Sequence, residues 1–245
     1  MKKILSPNFD ERPAGTRINC LVLHYTDMET AAAAINHLKN PEAKVSAHYV
    51  VDEDGSIIQM VDEQYRAWHA GKSSWRGKEK LNDFSIGIEI VNPGHRCGYR
   101  PFPEVQMRRL AELSAAIIKR HEIPARNVVA HSDIAPERKK DPGELFDWQF
   151  LAENGVGLWH QVKYHWERLL LKPGDFGGEV WKMQKALKNY GYKIPLTQQF
   201  DEETKLTVMA FQRHFLPFNR DNTREITGLW TALEQEIIED LLRHL

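Results

Sequence analysis

The chain has 245 residues, 42% hydrophobic and 10% aromatic, with 33 basic against 34 acidic side chains and a formal charge of -1. That length suits one large domain or two unequal ones, and the near-neutral balance, with no clustered basic face, excludes a nucleic-acid footprint. No apolar run approaches the roughly 20 residues of a membrane span. Met1-Lys-Lys-Ile-Leu is broken by Ser6-Pro7-Asn8 before a signal-peptide core can form, so no export signal is readable. Cys20, inside an apparent strand, and Cys97, in a Gly-rich loop, read as free thiols rather than as a disulfide or a cysteine metal site.

The first ~170 residues alternate strand-like and helix-like segments, the pattern of an α/β domain. Candidate strands are Asn19–His24, Val45–Val51, Ser56–Val61, Ser85–Ile90 and Asn127–His131, with Asp52-Glu-Asp-Gly55 turning a hairpin between the second and third. Helices are expected over Thr30–Leu38 and Glu104–His121; in the latter, Leu110, Leu113, Ile117 and His121 share a face fit to pack on a sheet. Gly and Pro cluster in 92–103 and 136–143, read as functional loops. The fold expected is a mixed central sheet flanked by helices.

A domain boundary is placed at Leu171-Lys-Pro-Gly-Asp-Phe-Gly-Gly178, dividing residues 1–171 from 172–245. Beyond it lie three helical patterns. The first carries Val180, Met183, Leu187 and Tyr190 and stops at Gly191, read as an αL terminator. The second starts from Asp201 as N-cap and carries Leu206, Val208, Ala210, Phe211 and Phe215; the third is Leu233–Leu242. Trp181, Phe200, Phe211 and Phe215 supply a small three-helix core of its own, marginal but feasible at that size.

The chemistry gathers around His131-Ser-Asp-Ile-Ala-Pro-Glu-Arg-Lys-Lys-Asp-Pro-Gly143. Here an imidazole and the Asp141 carboxylate lie ten positions apart, with Arg138 and Lys139 between them and Pro136 and Pro142 stiffening the loop. With His24, at the end of the strand Cys20-Leu-Val-Leu-His24, they make two histidines and a carboxylate, the ligand set of a catalytic zinc ion with one open position. In Ser85–Ile90 the isoleucines alternate with Ser85, Gly87 and Glu89. Glu89 therefore shares a face with a glycine that leaves room for substrate, and is the candidate general base. Lys139 can present its ammonium to a developing oxyanion.

Leu23-His24-Tyr25-Thr26, Val45-Ser-Ala-His48-Tyr49, Ala67-Trp68-His69-Ala70-Gly71, Asn82-Asp-Phe-Ser-Ile-Gly-Ile-Glu89 and the His131–Gly143 segment, in this order and spacing, resemble AmpD-type N-acetylmuramoyl-L-alanine amidases. The likeness spans most of residues 18–155. It is especially similar to the AmpD-homologue and AmiD branch, and more distantly to peptidoglycan recognition proteins and T7-type lysozyme. The tail resembles a three-helix peptidoglycan-binding domain through Met183-Gln184, Leu187, Tyr190-Gly191-Tyr192, Phe200-Asp201, Thr204 and Phe211-Gln212. It departs at Gln199, where a glycine is common, and over the irregular stretch 215–228.

The resemblance implies a zinc-dependent hydrolase of the amide between N-acetylmuramic acid, or its 1,6-anhydro form, and L-alanine of the stem peptide, with one Zn2+ held by His24, His131 and Asp141. Its partners would be peptidoglycan or muropeptides. Trp68 and His69 would line the groove, and Lys80 and Arg138 would hold stem-peptide carboxylates. His48 and Tyr49 are read as packing behind the site, and Trp68, Trp75 and Trp159 as sugar platforms or core fillers. His37, His95, His121, His160, His165, His214 and His244 are read as surface or helix residues. A noncatalytic peptidoglycan-recognition module is the alternative; a zinc peptidase is disfavoured because no His-Glu-x-x-His helix is present. A wall-binding tail argues for the cell envelope or periplasm, and the unreadable export signal for the cytoplasm.

Overall fold

The computed structural model describes residues 1–163, 168–216 and 225–245; His165 and residues 217–224 of the irregular stretch fall outside them. Strands β1 (Lys2–Lys3), β2 (Phe9–Glu11) and β3 (Cys20–Tyr25) lead into helix α1 (Ala31–Lys39), then β4 (Tyr49–Val51), β5 (Ile57–Gln59) and β6 (Tyr65–Ala67). A small hairpin, β7 (Ser74–Trp75) and β8 (Lys78–Glu79), precedes β9 (Ser85–Ile90), α2 (Gly94–Cys97), α3 (Glu104–His121) and β10 (Val128–Ala130). Short helices α4 (His131–Ile134) and α5 (Trp148–Glu153) follow. The tail comprises β11 (Leu169–Leu171), α6 (Gly178–Tyr190), α7 (Glu202–Phe215), β12 (Trp230–Thr231) and α8 (Ala232–Arg243).

The central sheet runs β1-β5-β4-β9-β3-β10, with β4 and β5 antiparallel and the other neighbours parallel. This is the mixed sheet expected. The strand anticipated over Val45–Val51 begins only at Tyr49. Upstream of it the backbone bonds irregularly: the Ser46 amide donates to Trp68 O, and His48 O accepts from both Met60 and Val61. Helix α5 was not anticipated. The Asp52–Gly55 turn forms as read, closed by the Gly55 amide on Asp52 O at 2.9 Å.

Both faces of the sheet are covered, which is why β3 reads as one apolar run. Leu21, Leu23, Ile86, Ile88 and Ile90 bury against Leu110 and Ile117 of α3. Cys20, Val22 and Val129, with Trp75, Leu81 and Ile134, belong to one buried cluster with Met183, Leu187, Phe211 and Phe215 of the tail. The expectation of a separate tail core is thereby corrected: the tail helices complete the second face of the catalytic sheet. Gly191 shows how close the fit is. Its φ of 152° is not the αL value anticipated, and a Cβ there would lie 2.7 Å from the Trp75 ring. The glycine ends α6 where an indole passes against the backbone, so Trp75 is a core filler rather than a sugar platform.

A consequence follows for truncation. Each large apolar side chain bared by removing residues 172–245 forfeits about 1.5–3 kcal/mol, and Val22, Trp75, Leu81, Val129 and Ile134 would all be bared. Their sum rivals the ~5–15 kcal/mol net stability of a whole domain. The 1–171 fragment is therefore expected to show no cooperative transition in scanning calorimetry. A fragment that melts cooperatively and turns over soluble muropeptides normally would show that the shared core is dispensable.

Candidate active site

Register builds the site. In the β3/β9 pairing His24 lies beside Glu89, and in the β3/β10 pairing Leu23 lies beside Ala130, so His131 emerges next to His24. All three stand at the carboxyl ends of parallel strands, where open α/β sheets place their ligand crevices. A slip of one residue in either pairing would turn Glu89 or His24 to the opposite face.

Asp141 is brought in by the loop after α4: its carbonyl accepts from the Ser132 amide at 3.0 Å, and the Asp141-Pro142 peptide is cis. Three donor atoms then converge. His24 Nδ1 and His131 Nδ1 are 2.9 Å apart, and Asp141 Oδ2 lies 3.1 Å and 3.0 Å from them. All three residues are buried. Donors about 2.0 Å from a tetrahedral ion would be roughly 3.3 Å apart, so the set fits a small metal ion.

Hydrogen bonding at the back of the rings supports that fit. Ser85 Oγ donates to Leu81 O at 2.6 Å and so accepts from His69 Nε2 at 3.1 Å. His69 Nδ1 is then the acceptor for His24 Nε2, at 3.0 Å. His131 Nε2 donates to Ala70 O at 3.2 Å. The His24 and His131 rings are thus held as the tautomer with a lone pair on Nδ1, the support that metal-binding histidines ordinarily receive. Burial, then the neighbouring His131, lowers the pKa of His24 to about 4. Burial alone would raise the pKa of Asp141, but His131 and His24 hold it well below the usual carboxylate range. Neutral imidazoles and an ionised carboxylate are the forms that bind metal.

A cavity of about 420 Å³ opens over these atoms, lined among others by Tyr25, Trp68, His69, Glu89, His95, Arg138 and Lys139. Glu89 Oε2 is buried without a partner among the described residues. Burial pushes its pKa well above the ordinary value, Asp141 adds to the rise, and Lys139 opposes it. A carboxylate with a buried oxygen unpartnered among the described residues, a cation and a donor set that could hold a metal ion, gathered around one crevice, have the makings of amide hydrolysis.

The chain matches the family described as N-acetylmuramoyl-L-alanine amidase over residues 14–144, more than half its length, and a peptidoglycan binding domain over residues 176–216. It is 37% identical to the N-acetylmuramoyl-L-alanine amidase AmiD of Escherichia coli over 240 residues, 91% of this chain and 85% of that one. The chain belongs to the N-acetylmuramoyl-L-alanine amidase family. As such it is a hydrolase of the amide bond between N-acetylmuramic acid and L-alanine in peptidoglycan. The amidase is also 36% identical to the 1,6-anhydro-N-acetylmuramyl-L-alanine amidase AmpD of Haemophilus influenzae, over 60% of this chain and 88% of that one. Among solved structures, E. coli AmiD bound to anhydro-N-acetylmuramic acid-L-Ala-D-gamma-Glu-L-Lys superposes with a TM-score of 0.78 at 34% identity, covering 97% of this chain and 98% of that one. AmpDh3 of Pseudomonas aeruginosa in complex with an anhydromuramic pentapeptide gives 0.72 at 30% identity, covering 95% and 94%.

Several expectations for the amidase change. Its His69 lines the groove, but both ring nitrogens are occupied, one by His24 and the other by Ser85. Gly87 makes room for that ring rather than for substrate, since a Cβ there would lie 2.4 Å from His69 Cγ. Arg138 clamps the 70–72 loop through the carbonyls of Ala70 and Lys72, the latter at 2.6 Å, so its guanidinium is largely committed. Lys80 does not line the cavity over His24, His131 and Asp141 but a separate one, with Lys72, Glu79 and Lys193. Trp68 keeps its place in the wall, its Nε1 donating to Asp10 at 2.7 Å. Trp159 packs into the core beside His160 and Phe215. His160 is buried outside any helix, against expectation; His214 lies on α7 as read, and is buried there.

Tyr25 and His95 are the site residues the sequence reading missed. Tyr25 Oη donates to His95 Nδ1 at 2.8 Å, and His95 Nε2 lies 3.1 Å from Glu144. The signals were that Tyr25 stands in the Leu23–Thr26 motif beside His24 and that His95 falls within the Gly/Pro-rich loop 92–103.

Gly87→Ala should push His69 off His24. Zinc affinity, read by chelator competition, is expected to fall roughly tenfold, the lower end of the ~10–100-fold seen when support behind a ligand is lost. Unchanged affinity would contradict the orienting role of His69.

Proposed function

We propose that this amidase holds one zinc ion through His24, His131 and Asp141 and cuts muropeptides, including those ending in 1,6-anhydro-N-acetylmuramic acid, between the lactyl group and L-alanine. Bound zinc supplies Lewis-acid polarisation of the scissile carbonyl and lowers the pKa of water to about 7. Glu89 takes the proton from the attacking water and returns it to the leaving amine. A carboxylate whose pKa burial has raised is better matched to that work near neutral pH. Lys139 places its ammonium beside the developing oxyanion, a contribution of about 10²–10³-fold for donors of this kind. Trp68 forms the apolar wall against which the sugar lies.

The convergence of His24 Nδ1, His131 Nδ1 and Asp141 Oδ2 within 3.1 Å of one another carries the reading. The AmiD and AmpDh3 complexes with anhydromuramyl peptides support the substrate class. We assign residues 1–171 to catalysis and 172–245 to wall binding, on the tail's likeness to a peptidoglycan binding domain. That likeness favours action at the cell envelope. No described helix is long and apolar enough to cross a membrane.

Incubation with a purified anhydro-muropeptide, followed by mass spectrometry, tests this reading. The expected products are free stem peptide beginning with L-alanine and the liberated sugar. Chelator-treated protein should form neither until zinc is restored. Turnover by metal-free protein, or cleavage at another amide, would overturn it.

A further inference from the structure

Two side chains of the tail reach the carboxylate of Asp133, which lies two residues beyond His131 on α4. Tyr192 Oη donates to Asp133 Oδ1 at 2.7 Å. His214 Nδ1 lies 2.6 Å from Oδ2, which also accepts the Ala130 amide at 2.7 Å. Asp133 is 0% exposed. Without water, a buried carboxylate is tolerated only when its lone pairs are met, and among the described residues two of the three donors come from the tail.

His214 is not free to turn elsewhere. Its ring stacks on Trp148 of α5 with centroids 3.8 Å apart and on Phe215 at 4.0 Å, so packing fixes the direction in which Nδ1 points. The helix that bears His131, in contrast, is a single turn of four residues. One turn has no stability of its own, so its place is set by what grips it. The Ala130 amide bond to Asp133 ties the start of that turn, the backbone just before the ligand, to the same carboxylate.

We propose that the tail clamps the metal loop: Tyr192 and His214 are positioning residues that hold the start of α4, and with it the His131 ligand, through Asp133. This rests on the reading of His131 as a metal ligand. It gives the tail a task at the catalytic centre apart from any hold on the wall polymer. Among the described residues, losing both tail donors leaves the buried carboxylate with the Ala130 amide alone. The turn then relaxes toward other partners and His131 Nδ1 leaves the point it shares with His24 and Asp141.

The test uses the full chain. Tyr192→Phe removes only the hydroxyl. His214→Phe keeps the aromatic stack and loses the donor, whereas His214→Asn loses the stack and keeps a donor near Nδ1. Ile237→Ala, a tail core substitution on α8, serves as the control for simple destabilisation. Zinc affinity is measured by competition with a chromogenic chelator well below every variant's Tm, and kcat and KM are measured on a soluble muropeptide at saturating zinc.

The Tyr192→Phe/His214→Phe double variant should lose about tenfold in zinc affinity and fall in kcat with KM little changed. His214→Asn should retain zinc better than His214→Phe, and Ile237→Ala should lower Tm while keeping wild-type affinity. Wild-type zinc affinity in the double variant, or no advantage of Asn over Phe, would overturn the clamp and leave the metal site standing. A wild-type chain that takes up no zinc would overturn the metal reading and the clamp together.

Discussion

Replacing His24, His131 or Asp141 with alanine is expected to abolish muropeptide hydrolysis and to strip most of the zinc from the protein. Each supplies one of three donors that lie within 3.1 Å of one another, and a three-donor site cannot lose a member and keep both affinity and an open position. Asp141→Ala carries a second penalty, because it removes the carboxylate that faces both rings. Elemental analysis alongside a turnover assay checks this. A variant with full zinc occupancy and normal turnover would remove that residue from the set.

Glu89→Gln separates base from ligand. The amide keeps the size of the side chain but cannot accept the water's proton, and Glu89 is not needed to complete the two-histidine, one-aspartate set. Zinc should stay bound, muropeptide should still bind, and kcat should fall by about 10²–10⁴-fold. Removing the charge also relieves a buried carboxylate of its desolvation and its repulsion by Asp141. The variant is therefore expected to be at least as resistant to heat as the parent, which distinguishes lost chemistry from lost fold. Loss of zinc in this variant would make Glu89 a ligand, and near-normal kcat would place the proton acceptor elsewhere.

Local pattern was legible where one element decided the outcome. The alternation in Ser85–Ile90 and the apolar stripe of Glu104–His121 gave both elements with their bounds as observed, since each buries one face against a partner of matching period. The candidate metal ligands could be read as chemistry because two imidazoles and a carboxylate are a recognisable donor set, here at a strand end, a helix start and a loop. Contacts across the chain left no such mark. Nothing in the spacing of Asp133 and His214 announces that they meet, and the tail's apolar stripe looks the same whether it packs on itself or on Trp75 and Leu81.

Glycines were misread for a related reason. Gly87 is required by the His69 ring, which arrives from a distant segment, and Gly191 by the Trp75 ring as well as by its own positive φ. Charges at the surface carry least information. Arg138 and Lys80 look alike in sequence, but one is tied to two backbone carbonyls beside the site and the other faces a different cavity. Helix α5, six residues long, is too short to declare a period.

The proposed chemistry depends on where the metal sits. Anomalous diffraction at the zinc edge, from crystals of the Glu89→Gln protein soaked with an anhydro-muropeptide, locates it directly. The prediction is one peak bounded by His24 Nδ1, His131 Nδ1 and Asp141 Oδ2, with residue 89 outside bonding distance and the scissile carbonyl turned toward the open position. A peak elsewhere in the chain, or one bound through residue 89 or His69 in place of any of the three, would contradict it.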